Sequence, residues 1–179
     1  MSTVDLSRAC AALAVWLMSG LAVAQPAPSE PAVKAAFLYK FAGYVDWTAP
    51  AQPDAPFVIA TIGADEVADE LTRLLPGRAV AGRPAVVRTL RAGESLDGVQ
   101  ILFIGRRTAD VRATIRAAQK HGVLTVTENG LEAGAVINFI VAESRVTFEV
   151  SLDAAERSGH RISSRMLAVA RRVVSRGAL

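Results

Sequence analysis

Cysteine is nearly missing from this chain of 179 residues, which has one, Cys10. It lies inside an N-terminal apolar stretch, so the rest of the chain has no disulfide framework, thiolate metal site or cysteine nucleophile. Histidine is almost as scarce: His121 and His160 are the two, far apart and without metal-ligand spacing to each other. The sequence has no H-E-x-x-H, no phosphate loop, no G-x-G-x-x-G and no G-x-S-x-G. A catalytic triad drawn together by folding, around one histidine, stays open at this stage. One-sided charge is lacking too. Twenty Lys and Arg stand against 17 Asp and Glu, a net of +3. That is too small a surplus for the positive field of a nucleic-acid binder.

Long apolar runs are absent beyond residue 24. Before it, a single early arginine, Arg8, precedes an apolar run from Ala9 to Val23, broken only by Ser19 and Gly20. The run ends in Ala22-Val23-Ala24, a small-x-small cleavage signature, and reads as a secretory signal peptide cut before Gln25. An uncleaved anchor is the other reading, but the run falls short of the ~20 residues a membrane span needs. Cys10 sits within the run rather than after it, which argues against a lipid anchor. Residues 25–179 are then expected as one domain exported by the Sec route to the periplasm. Its length suits a single core.

The pattern along that domain alternates. "PAVKAAFLYKFAGYVDW" has Val33, Phe37, Phe41 and Tyr44 at helical spacing, with Ser29 as a cap and Pro31 in the first turn. "FVIATIG" reads as a buried strand, and "ADEVADELTRLL" as a helix with acids at its dipole-favoured start. "RAVAGRPAVVRTL" suggests one or two strands around a turn at Gly82. "VQILFIG" is another strand, followed by a helix over 109–120 with Thr108 as its cap, then the strand "VLTVT". "AVINFIVA" and "RVTFEVSL", split by Glu143-Ser144, form an antiparallel hairpin. A short helix over 152–158 and a C-terminal amphipathic helix close the chain. The expected fold is therefore one α/β domain: a mixed sheet of about five or six strands flanked by helices.

Candidate binding groups are few. The glycines that end two strands, Gly63 and Gly105, open turns before helices, where anions can bind but where ordinary turns are commoner. "RISSRMLAVARRVV" places aliphatic residues on one arc and arginines on the other. It reads as a helix docked on the sheet with its arginines in water. Binding to a membrane surface, or to an anionic ligand or acidic partner, are the other readings. For the last of these the candidate residues are Glu149, His160, Arg161, Ser163, Ser164 and Arg165. In the early helix Tyr39 stands off the Phe37–Phe41–Tyr44 stripe, so Tyr39 and Lys40 are candidates for an outward or subunit-interface position.

In order along the chain, "VKAAFLYKFAGYVDW", "FVIATIG", "GRPAVVRTL", "ILFIG" and "GVLTVTENGLEAGAVINFIVAESRVTFEVSLDAAERSGHRISSRMLAVARRV" resemble the YfiR-like periplasmic proteins. The early aromatic helix ending at Trp47 combined with the late "FEVSLDAA…ISSRML" carries most of the resemblance. It implies a non-enzymatic regulator without a cofactor, able to dimerise and not inserted in the membrane. Its partner would be the periplasmic sensor part of an inner-membrane signalling protein. For the namesake that partner is a diguanylate cyclase, so cyclic-di-GMP synthesis is restrained. A periplasmic ligand-binding protein feeding a sensor kinase or transporter is the alternative. The chain departs from the family pattern where relatives carry a cysteine near Val99 and paired cysteines elsewhere. It also departs at Gly134-Ala135 in place of a glycine pair, at Ser151 in place of Asn, and at His160 in place of an apolar residue.

Overall fold

A computed structural model describes residues 27–47 and 55–175. The expected signal peptide and its cleavage site lie outside the described residues. Helix α1 spans Glu30–Phe41, and its Ser29 cap accepts a hydrogen bond from the Ala32 amide at 3.3 Å. After it come β1 (Val45–Asp46), β2 (Phe57–Ile62), α2 (Asp65–Leu74), β3 (Ala79–Val80), β4 (Arg83–Leu90) and β5 (Val99–Ile104). Then follow α3 (Val111–Lys120), β6 (Leu124–Thr127), β7 (Ile137–Ala142), β8 (Arg145–Ser151) and α4 (Leu152–Arg157). The chain closes with β9 (Arg161–Ile162), α5 (Ser164–Val169) and β10 (Arg172–Val174).

Eight strands form one sheet in the order β10-β8-β7-β6-β5-β2-β4-β3, and β1 pairs with β9 in a separate two-stranded piece. The centre of the sheet, β4-β2-β5-β6-β7, is parallel, whereas β7–β8 and β3–β4 are antiparallel hairpins. The α/β class and the mixed sheet agree with the sequence pattern, but the strands outnumber the five or six expected. The surplus comes from two- and three-residue strands, too short for a period-2 signal.

The continuous apolar runs of β2 and β5 follow from burial on both faces. Ile59, Ile101 and Phe103 face a core built with Leu38 and Phe41 of α1 and Val67 and Leu71 of α2. Val58, Ala60, Ile62, Leu102 and Ile104 face a second core with Ile115 and Ala118 of α3. In the first core the Phe41 and Phe148 rings meet edge to face at 5.0 Å, and Phe37, Phe103 and Phe139 join them. These aromatic pairs tie α1 to the hairpin β7–β8.

Two local expectations are corrected. Asp110, not Thr108, caps α3, accepting from the Ala113 amide at 2.8 Å. The Thr108 hydroxyl donates instead to the Ile62 carbonyl at 3.2 Å and so joins the two central loops. The C-terminal helix stops at Val169, and Ala170 leaves it with an extended backbone. Arg172, Val173 and Val174 then pair in parallel with Glu149, Val150 and Ser151 of β8. Val150 and Ile137, in the two neighbouring strands, are fully buried, and an edge there offers backbone partners that helical periodicity cannot reveal.

Candidate functional site

From β2 the chain crosses through α2 to β4 on one side, while from β5 it crosses through α3 to β6 on the other. The connections diverge between β2 and β5, and open α/β sheets hold ligands at such a point, beyond the carboxyl ends of the strands. A pocket of about 340 Å³ lies there. The start of α1 contributes Glu30, Pro31 and Lys34. The turn after β2 and the start of α2 contribute Gly63, Ala64, Glu66 and Val67, the turn after β5 Arg106 and Arg107, and the end of β6 Glu128.

The two strand-ending glycines explain how the turns fit together. Gly63 has φ +62°, and a Cβ there would lie 2.7 Å from the Thr108 hydroxyl and 2.8 Å from its amide. A Cβ on Gly105 would lie 2.2 Å from the Gly63 carbonyl oxygen. The backbones therefore approach more closely than any side chain permits.

Charge is concentrated at this spot. The Lys34 side chain is 5% exposed and bridges Glu30, at 2.5 Å, and Glu128, which is itself 10% exposed. The other Glu128 oxygen accepts from the Arg106 amide at 3.1 Å, and the Arg106 guanidinium stands 3.6 Å from the carboxylate. Arg107 reaches out to Asp65 at 3.0 Å. Helix α2 has no side-chain cap. Sequence reasoning raised the Gly63 and Gly105 turns but missed Lys34 and Glu128. They lie 94 residues apart, and neither belongs to a local motif.

The residues singled out from the sequence for a ligand, partner or subunit interface lie elsewhere, and none of them lines the pocket, whereas Gly63 of the two glycine turns does. Glu149 is buried and holds Arg172 at 2.6 Å, with the Asn138 amide at 3.4 Å from its second oxygen. His160 turns inward, its ring edge-on to Trp47 at 5.5 Å, and among the described residues neither ring nitrogen makes a hydrogen bond of ordinary geometry. Burial lowers its pKa, with the Val123 backbone opposing. Arg161 is exposed on β9, paired with Asp46 of β1. Ser163 caps α5 by accepting from the Arg165 amide at 3.3 Å, while Ser164 and Arg165 are exposed in the first turn. Tyr39 is half-buried: its hydroxyl donates to the Ala79 carbonyl at 3.0 Å and Arg78 stacks over its ring. Lys40 next to it is exposed.

Comparison with the curated proteins yields no match. The family model described as YfiR/HmsC-like matches residues 31–171, from the second residue of α1 to the residue before β10. The matched span carries the parallel centre of the sheet, β4-β2-β5-β6-β7, and every pocket residue except Glu30, and the chain belongs to the YfiR/HmsC-like family.

Proposed function

We propose that this protein is a periplasmic regulator that restrains an inner-membrane signalling protein by binding its periplasmic sensor region. Family membership over residues 31–171 is the observation that carries this reading. A diguanylate cyclase is the partner class, so the output is the level of cyclic-di-GMP. The N-terminal apolar run and Ala22-Val23-Ala24 support export with cleavage before Gln25. Among the described residues no helix is long and apolar enough to cross a membrane.

The surface offers groups suited to a protein partner. Val169 at the end of α5 is 71% exposed and Val173 on β10 is 39% exposed, with exposed Arg165, Arg171 and Arg172 around them in sequence. Apolar side chains ringed by arginine are typical of contact surfaces.

The test is deletion of the gene and complementation with a tagged chain. Cyclic-di-GMP should rise on deletion and fall on complementation. The tagged protein should co-purify from detergent extracts with an inner-membrane cyclase, and its first residue should be Gln25 by mass spectrometry. Unchanged cyclic-di-GMP together with no membrane partner overturns the regulatory reading. Retention of residues 1–24 overturns cleavage.

A further inference from the structure

The pocket at the β2–β5 divergence is lined by charges of both signs. Lys34 is saturated by Glu30 and Glu128, and Arg107 is held by Asp65. Two charges on the pocket lining remain underused. The Arg106 guanidinium is 64% exposed and its nearest carboxylate is 3.6 Å away, while Glu66 has no hydrogen bond or ion pair among the described residues. One is a cation on the turn after β5, the other an anion on the first turn of α2, and both line the same pocket.

We propose that this pocket binds a small zwitterion of the α-amino-acid class, its carboxylate on Arg106 and its ammonium on Glu66. A lone carboxylate would gain Arg106 but face Glu30, Glu66 and Glu128. A lone amine would gain those acids but face Arg106, Arg107 and Lys34. A ligand carrying both signs matches both sets without bringing like charges together, which is strongly disfavoured. Lys34 and Glu128, buried and locked together, form a fixed charged floor. A buried ion pair of this kind contributes little net stability compared with apolar packing, so placing one at the crevice suits binding better than folding. The volume of about 340 Å³ is ample for a molecule of this size. This inference goes beyond the regulatory reading and does not depend on it.

The test uses the purified mature protein alone. Thermal shift and calorimetry are run with the twenty free L-amino acids, and then with the N-acetyl and the amide derivatives of any that bind. Binding by one or more free amino acids, weakened at least tenfold in both derivatives, is expected. Arg106→Gln and Glu66→Gln should each weaken binding at least tenfold without lowering the melting temperature of the free protein, since both side chains are exposed. Binding that survives N-acetylation would make the pocket an anion site, and binding that survives amidation a cation site. Either result overturns the proposal, as does the absence of binding by all twenty. Unchanged cyclic-di-GMP on gene deletion, with amino-acid binding intact, would count against the regulatory reading and leave this one standing.

Discussion

Lys34, on the second turn of α1, and Glu128, just past the end of β6, form an ion pair in which both side chains are nearly excluded from water. The contact pins the first helix over the carboxyl end of the sheet. Removing Lys34 leaves buried Glu128 only the Arg106 amide and a guanidinium 3.6 Å away, and breaking a buried pair costs up to about 3–5 kcal/mol. Lys34→Met should therefore lower stability by about that amount in urea melts. The double variant Lys34→Met with Glu128→Gln should recover much of the loss, because the glutamine carbonyl still accepts from the Arg106 amide. A double variant as unstable as the single one would mean that the lysine acts through packing instead.

Gly105 is a second fixed point of the same region. A Cβ there meets the Gly63 carbonyl at 2.2 Å and Ala64 Cβ at 2.8 Å, and neither is the movable end of a side chain. Gly105→Ala must push the two turns apart, and overpacking of this sort costs about 1–3 kcal/mol. Gly43→Ala is the control, since its added methyl would lie at an ordinary 3.6 Å from the Lys40 carbonyl. Chemical denaturation should show a clear loss for the first substitution and almost none for the second.

How much of this was legible in sequence depended on the range of the interaction. The helices and the long strands show themselves by local period, as in Ile59, Ile101 and Phe103, whose apolar neighbours mark strands buried on both faces. The hairpin turn at Glu143-Ser144 was equally visible, and both residues adopt positive φ. "MLAVARRVV" satisfies a helical stripe as far as local spacing can tell, so Arg172, Val173 and Val174 read as helix from the sequence. Their strand state is decided by β8, a partner outside the segment. The Lys34–Glu128 floor was invisible for a similar reason: only the return of β6 beside β5 brings the two residues together. Glu149 is a binding candidate from the sequence. It holds Arg172, in a strand where a helix was anticipated.

The inward turn of His160 has a pH consequence. Burial disfavours its protonated form, so its folded pKa lies below the ordinary value of 6.5. The unfolded chain then binds the proton more readily than the folded one. The stability that depends on neutral His160 is complete above about pH 6.5 and is lost as pH falls from there through the folded pKa. Subtracting the melting curve of His160→Leu from that of the native chain should leave a component that falls below pH 6.5. With the signal peptide removed, Trp47 is the one tryptophan left, and its ring lies 5.5 Å from the imidazole. Its fluorescence should change over the same pH range in the native chain only. A flat difference curve would mean that the histidine stays neutral, or reaches water, throughout.

The edge strand β10 pairs with β8 over three residues, and Glu149 adds a side-chain contact to that ladder. Its carboxylate takes the Arg172 guanidinium at 2.6 Å, and the Arg171 amide donates to the Phe148 carbonyl at 2.8 Å. The pairing with Glu149 raises the pKa of Arg172 through a side-chain hydrogen bond and charge attraction. The guanidinium itself is mostly in water, so the pair guides the strand more than it stabilises the domain. Arg172→Ala should accordingly leave the global melting temperature nearly unchanged while amide exchange at 172–174 accelerates, as expected for local opening at a sheet edge. Glu149→Gln should do the same more weakly, since the amide oxygen can still accept from the arginine. If β10 is part of the partner surface, faster exchange there should come with weaker binding to the membrane partner and a matching rise in cyclic-di-GMP. Accelerated exchange with full repression would place the partner surface on another part of the domain.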